Sequence, residues 1–379
     1  MTIQCRICKS NCYEDYLLNY SNMPTSAQGF LTTEELEFDA GSDLEVIQCS
    51  SCGLVQLENE PVSYYKEVIR SSAFSEEMNK FRLKQFKLWV KKYQLNGKKI
   101  LEVGCGKGEY LKILSNSGVI AFGVEHSKES VQSCHQDNLT VTQGFFGETK
   151  PSFSGQMFDG FICLSFMEHW PDPGKVFESL NENLRDGAIG LVEVPNFDMI
   201  LKDGLYSEFI SDHLMYFTNE TFTFMMQLNG FEVLSCEPIW HNYILSAVVK
   251  KRVKTNLDFF DDFRIIVKKD IDEFIEKFPK RKVAIWGAGH QALATISLTK
   301  IQKKIKYIVD SAIFKQGKYS PSSHILIVSE ESLIKNPVDA VIIMAGSYSN
   351  EIQKILKNKY PQIKVSILRE YGLEIINYD

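Results

Sequence analysis

Lys98-Lys-Ile-Leu-Glu-Val-Gly-Cys-Gly-Lys-Gly108 is the stretch that decides the fold. Ile100 to Val103 is a short apolar run that reads as a buried strand, and Glu109-Tyr-Leu-Lys-Ile-Leu114 behind it reads as a helix. The glycines between them stand where a cofactor must approach the main chain closely, because side chains there would collide with it. About twenty residues on, a second strand ends at Glu125, whose carboxylate can accept hydrogen bonds from both hydroxyls of a ribose. The spacing Glu-x-Gly-x-Gly-x-Gly differs from the Gly-x-Gly-x-x-Gly of dinucleotide sites and favours S-adenosylmethionine over NAD. Glu102, Gly104, Gly106 and Glu125 are therefore the expected cofactor residues.

Outward from this loop, short apolar strands recur at Ala121 to Val124, Thr140 to Thr142, Gly160 to Leu164 and Gly190 to Val194, with helical runs between several of them. That βαβ rhythm implies an α/β fold with a mainly parallel sheet covered on both faces. Upstream, residues 62–95 carry Met78, Phe81, Phe86, Leu88 and Trp89 at helical spacing and predict a helical lead-in. Downstream, Lys254 to Lys280 predicts a connecting helix, after which the rhythm restarts at Lys282-Val-Ala-Ile-Trp-Gly-Ala-Gly289 and continues through Lys306 to Asp310, Ala340 to Met344 and Lys364 to Leu368. A second, smaller Rossmann-like domain is expected there.

The first fifty residues are framed by Cys5-Arg-Ile-Cys8 and Cys49-Ser-Ser-Cys52, with Leu44 to Cys49 as a strand leading into the second pair. A module this small lacks a core of its own, and four thiolates binding zinc would supply the missing folding energy. Cys5, Cys8, Cys49 and Cys52 are the expected ligands, with Cys12 as a substitute and four buried thiols as the plainer alternative. A closed four-sulfur shell leaves no open position, so the zinc would be structural. The resulting division is a zinc-binding module at 1–60, a cofactor-binding domain at 61–253 and a C-terminal domain at 254–379.

The chain has 379 residues, 44% of them hydrophobic, a formal charge of -6 and nine cysteines. The acidic balance gives no general attraction to phosphate backbones, so the expected partner is a small molecule and not nucleic acid. No run approaches the ~20 apolar residues of a membrane helix, and the N-terminus lacks a signal-peptide apolar region. Single cysteines such as Cys105, Cys134, Cys163 and Cys236 suit a reducing compartment, so a cytoplasmic protein is expected.

With its glycine loop, Glu125 and the run Phe158-Asp-Gly-Phe-Ile-Cys-Leu-Ser-Phe-Met-Glu-His-Trp-Pro-Asp-Pro173, the chain resembles class I S-adenosylmethionine-dependent methyltransferases. The resemblance implies that Leu164, Ser165 and Phe166 line the cofactor. Glu168 alternatively reads as a carboxylate opening the next helix, and His169 as a structural turn histidine. Val192-Glu-Val-Pro-Asn196 followed by Phe209-Ile-Ser-Asp-His-Leu-Met-Tyr-Phe-Thr218 is similar to a segment of the sugar C-methyltransferases, which act at carbon 3 of nucleotide-linked 4-keto-deoxysugars. That family too begins with a four-cysteine module and ends with a Rossmann-like domain, here with Gly287-Ala-Gly289, Val309-Asp310 and Lys315-Gln-Gly-Lys-Tyr319 in the same order.

Carbon becomes nucleophilic only when a proton beside a carbonyl is removed, which requires a base and a stabiliser for the enolate oxygen. By resemblance His213 is the base, Asp212 orients it or holds the substrate, His169 is a second polar group, and Tyr64 or Tyr65 acts on the oxyanion. The plainer reading of Asp212-His213 is a helix cap followed by a packed ring. Four features depart from the family: Asp212 replaces a glutamate, Ile210 a frequent tyrosine, Val68-Ile-Arg-Ser-Ser72 stands where aromatic residues are frequent, and Ala345-Gly-Ser-Tyr-Ser349 lacks the usual Trp-Asn pair. The C-terminal glycine turn reads either as an independent nucleotide site, with Asp310 as ribose partner, or as a wall closing the substrate cleft, with His290 or Lys315 reaching a phosphate. O- or N-methylation of another small metabolite is the competing activity, and an RNA-modification protein with a zinc ribbon is a more distant one.

Overall fold

The computed structural model describes residues 3–27, 30–67, 75–148, 151–153 and 155–377. The chain divides into two compact units, Met1–Lys254 and Thr255–Asp379. The first unit opens with strands β1 (Leu18–Met23), β2 (Ser42–Gln48) and β3 (Val55–Leu57) and helix α1 (Glu76–Lys92). Alternation follows through β4 (Lys99–Val103), α2 (Glu109–Ser115), β5 (Ile120–Glu125), α3 (Lys128–Gln136), β6 (Val141–Gln143), β7 (Phe158–Leu164), α4 (Pro173–Asn181), β8 (Leu184–Pro195), α5 (Phe197–Asp203), β9 (Met215–Tyr216), α6 (Asn219–Leu228), β10 (Phe231–Ile239) and β11 (Ile244–Lys251).

Seven of these strands form one sheet in the order β10-β11-β8-β7-β4-β5-β6. The ladders from β6 to β8 are parallel; β11 runs against β8, and β10 runs against β11, so β11 alone is reversed. Alternate residues feed two cores: Leu101, Val103, Phe161 and Cys163 pack into one, Ile100, Ile162 and Leu164 into the other. A sheet buried on both faces needs this run of apolar residues, and the mainly parallel α/β fold is as expected.

The lead-in is shorter than expected. Residues 63–66 form a turn, and α1 begins only where the Ser75 side chain accepts a hydrogen bond from the Met78 N–H and so caps the helix. Tyr64 and Tyr65 therefore sit on a turn and not on a helix, while the stretch Val68 to Ser72 lies outside the described residues.

The N-terminal strands make a separate antiparallel sheet in the order β1-β2-β3-β9, its last strand contributed from much later in the chain. Val55 pairs with Tyr216 and Gln56 with Met215, and the Leu57 N–H donates to the Leu214 carbonyl at 3.0 Å. Cys5, Ile7, Ile47, Cys49 and Leu54 share a core with Trp170, Leu214, Met215 and Phe217. The cysteine module is thus built into the first unit.

The second unit contains α7 (Asp258–Ile275), β12 (Val283–Trp286), α8 (His290–Thr299), β13 (Ile305–Val309), β14 (Ile327–Val328), α9 (Ser332–Lys335), β15 (Ala340–Ile343), α10 (Ser349–Lys359), β16 (Lys364–Arg369) and β17 (Gly372–Ile376). Its sheet order, β14-β13-β12-β15-β16-β17, reverses at β12, which makes the ends of β12 and β15 a topological switch point. No helix among the described residues is long and apolar enough to cross a membrane.

Candidate active site

The glycine loop leaves β4 through a run of left-handed backbone: φ is 68° at Gly104, 56° at Gly106 and 84° at Gly108. Residues with a Cβ would be strained there, so the loop needs glycine for its shape as well as for ligand approach. It is pinned to β5 by the N–H groups of Gly104 and Cys105, which donate to the Val124 carbonyl at 3.0 and 3.1 Å. Glu125 is buried and holds the same region together, accepting from the Gly106 N–H and the Ser127 N–H, each at 2.9 Å. The ribose carboxylate expected from the sequence is thus also the brace of the loop.

Gly104, Glu125, Gly144, Phe145 and Phe166 are among the lining residues of a narrow cavity of about 10 Å³, room for a single water. An open glycine turn, a buried carboxylate and an apolar wall are the groups an adenosine uses, and these walls must part to admit one. Leu164 lines instead a second cavity of about 210 Å³, with Arg82, Tyr110, Ser165, Pro195 and Tyr243. Between the two, Ser165 has φ 48°, and its N–H donates to the Glu193 carbonyl at 2.9 Å. A non-glycine residue in this conformation at a strand end is the kind of strain that collects at functional sites. Glu102 is fully buried inside β4, and Gly106 faces Glu125 with its N–H; Gly104 supplies the loop's share of the cavity wall.

Next to Phe166, with ring centroids 6.4 Å apart, lies His169 on the turn Met167–His169. This turn precedes α4 as a separate piece, so Glu168 does not open that helix. The loop carrying His213 is fastened to the turn by two bonds: Leu214 N–H to the Glu168 carbonyl at 2.9 Å, and His169 Nδ1 to the Asp212 carbonyl at 2.6 Å. His169 and His213 consequently face each other with ring centroids 5.0 Å apart. Burial pushes the His169 imidazolium down, and burial followed by the neighbouring His169 pushes that of His213 down to about 3, so both rings are neutral near pH 7. Burial raises the Glu168 carboxyl to about 8.

Asp212 is buried, and its carboxylate accepts from the Tyr64 hydroxyl at 2.6 Å and the Ala27 N–H at 2.8 Å. Its side chain thus anchors the tyrosine, and its backbone oxygen orients His169, where the sequence suggested a partner for His213. Ser26 Oγ stands 2.6 Å from the Tyr64 hydroxyl and extends this polar chain. Tyr65 is engaged elsewhere, donating to Glu148 at 2.7 Å, which leaves Tyr64 as the tyrosine of the cluster. Ser26 and Arg82 have no motif that marks them in the sequence, whereas Glu168 stands in the Glu-His-Trp-Pro-Asp run.

At the other end of the module the Sγ atoms of Cys5 and Cys52 are 3.6 Å apart, those of Cys8 and Cys49 3.5 Å, and all four lie within 4.8 Å of one another. Four converging sulfurs fit a tetrahedral zinc ion, and N–H groups of Ser51 and Cys52 point at Cys49 Sγ from 3.3 and 3.4 Å. Cys12 is buried beside this group but is not part of it.

Residues 73–236 match the family model described as a methyltransferase domain, and residues 250–363 that described as a C-methyltransferase C-terminal domain. The chain is 22% identical to the C-methyltransferase NovU of Streptomyces niveus over 389 aligned positions, which cover 92% of this chain and 91% of that protein. It is 31% identical to the ubiquinone biosynthesis O-methyltransferase of Paraburkholderia phymatum over 118 positions, 30% of this chain and 49% of that one, so it spans about half of that relative. An S-adenosylmethionine-dependent methyltransferase from Clostridium acetobutylicum of known structure aligns at a TM-score of 0.38 and 13% identity, covering 46% of this chain and 92% of that one. With the seven-stranded sheet, its glycine loop and both matched domains in order, the chain belongs to the class I S-adenosylmethionine-dependent methyltransferases, in the C-methyltransferase family.

Proposed function

We propose that this enzyme methylates a carbon beside the ketone of a nucleotide-linked keto-deoxysugar, through an enolate formed at the His169–His213 cluster, with S-adenosylmethionine in the glycine-loop cavity and structural zinc on Cys5, Cys8, Cys49 and Cys52. The cofactor supplies an electrophilic methyl group. In this reading the neutral His213 accepts the proton, and Tyr64, which donates to Asp212 in the resting site, turns its hydroxyl proton to the enolate oxygen. His169, locked by the Asp212 carbonyl, keeps its Nε2 lone pair toward the same space. The observation that carries the reading is the pairing of two neutral imidazoles one aromatic ring away from the cofactor cavity. A neutral ring has its lone pair free to accept a proton at pH 7, and substrate binding has to raise His213 from about 3 to make it an effective base. Similarity to a C-methyltransferase along nearly the whole chain supports the choice of carbon.

The C-terminal unit has a crevice at its switch point, lined by Gly287, His290, Asp310, Lys315 and Tyr348 among others. Taken by itself, this crevice suits a phosphate group, with the N-terminus of α8 and Lys315 as its donors.

The test is His213→Asn, followed by methyl incorporation into a nucleotide keto-sugar and by solvent deuterium exchange into that sugar without methyl donor. Both activities should fall by about 10³-fold or more, with affinity for S-adenosylhomocysteine unchanged. Full deuterium exchange in the variant would remove His213 as the base. Methyl transfer to a hydroxyl without any exchange in the wild type would favour O-methylation.

A further inference from the structure

Glu168, His169 and His213 each present one donor atom, and all three donors lie within 4.8 Å of one another. Two tethers bring them together, the Leu214 N–H to Glu168 carbonyl bond and the His169 Nδ1 to Asp212 carbonyl bond. A carbonyl only accepts, so Nδ1 of His169 carries the proton and Nε2 carries the lone pair, 4.0 Å from Glu168 Oε1. A metal-binding imidazole is commonly backed in this way. Glu168 itself is 1% exposed, and its Oε2 has no hydrogen-bond partner among the described residues. A buried carboxylate oxygen left unpartnered is costly, and a cation is the partner that would relieve it best.

The geometry points to a second metal site, in which Glu168, His169 and His213 bind a divalent first-row transition cation such as Zn²⁺ or Co²⁺. Two imidazoles and a carboxylate form a harder donor set than the four thiolates of the N-terminal module, and three protein ligands leave a coordination position open. Metal–ligand bonds of about 2.0–2.2 Å hold donors roughly 3–4 Å apart, so a small contraction of the trio closes the site. Cation binding engages the His213 lone pair. On the reading given above, which this consequence alone rests on, an ion here switches methyl transfer off.

The experiment uses the full chain carrying one equivalent of zinc, titrated with Co²⁺ and followed by visible absorption and by metal analysis after gel filtration. The expected result is one further equivalent with weak d–d bands and no thiolate-to-cobalt charge-transfer band. Glu168→Gln and His169→Gln, each checked for an unchanged melting transition, should weaken that second equivalent by about a hundredfold. A wild-type protein that retains a single metal, or a Glu168→Gln variant that binds the second as tightly, overturns the site. Zinc beyond one equivalent should also stop methyl transfer, reversibly with chelator. Binding without inhibition would leave the metal site standing and count against His213 as the base.

Discussion

Arg82 is one of the largest side chains fully enclosed in the protein, and its charge is met by an equally buried Glu193. The guanidinium donates to Glu193 Oε2 at 2.5 Å and lies over the Tyr110 ring, 5.2 Å from its centroid. Gln85 and Ser246 complete the carboxylate from 2.5 and 2.9 Å. Removing one partner of such a pair costs more than the pair contributes, because the other charge stays buried. Arg82→Met should therefore destabilise the chain by about 3 kcal/mol, read from denaturant midpoints, and adding Glu193→Gln should recover part of the loss. A double variant no more stable than the single one would argue against the pair as the source. None of this was legible in the sequence, where Arg82 is one charge among several on a charged amphipathic helix. Glu125 was legible, because its distance from the glycine loop is set by one βα unit; that its Oε2 also braces the loop at the Gly106 N–H is a tertiary fact. Glu168 was legible only in part: position before a helix suggests a dipole partner, and its burial on the turn Met167–His169, bonded to Leu214, is a tertiary fact.

At the scale of elements, the short ladder between β3 and β9 links the cysteine module to the histidine loop. Leu214 is bonded on one side to Leu57 and on the other to Glu168, directly after His213. On the zinc reading proposed above, chelating the metal from the four cysteines should therefore act on chemistry far away in sequence. Amides of residues 210–216 should lose protection against hydrogen exchange, and turnover should fall by about tenfold or more, while S-adenosylhomocysteine affinity changes little. Unchanged exchange in that loop after chelation would mean that the module stands apart. The two cysteine pairs announced the module plainly, but a two-residue strand at Met215–Tyr216 carries no period of its own, so its docking could not be read in advance. The short lead-in helix has the opposite origin: apolar spacing continued upstream, and the cap at Ser75 decided where the helix begins.

Across the whole molecule the two α/β units repeat one device. In the first, Gly106 donates its N–H to the carboxylate at the end of the neighbouring strand; in the second, the Ala288 N–H donates to Asp310 Oδ2 at 2.7 Å. The second unit adds Lys315, whose Nζ is 3.0 Å from the same Asp310 oxygen and 3.2 Å from the Ala288 carbonyl. A lysine tied to the site's own carboxylate holds a positive charge at the crevice. Lys315→Ala should weaken binding of a nucleoside diphosphate to this unit by about tenfold, read by calorimetry. Unchanged affinity would remove the lysine from the crevice's ligand contacts.

The late origin of β9 also has a consequence for biogenesis. While the ribosome is still adding the residues between Leu57 and Met215, the nascent N-terminal sheet has β3 as an unpaired edge, open to pairing with a neighbouring chain. Translation stalled before that point should leave an adhesive, protease-sensitive intermediate even with its cysteines charged with metal, and release beyond Tyr216 should cure it.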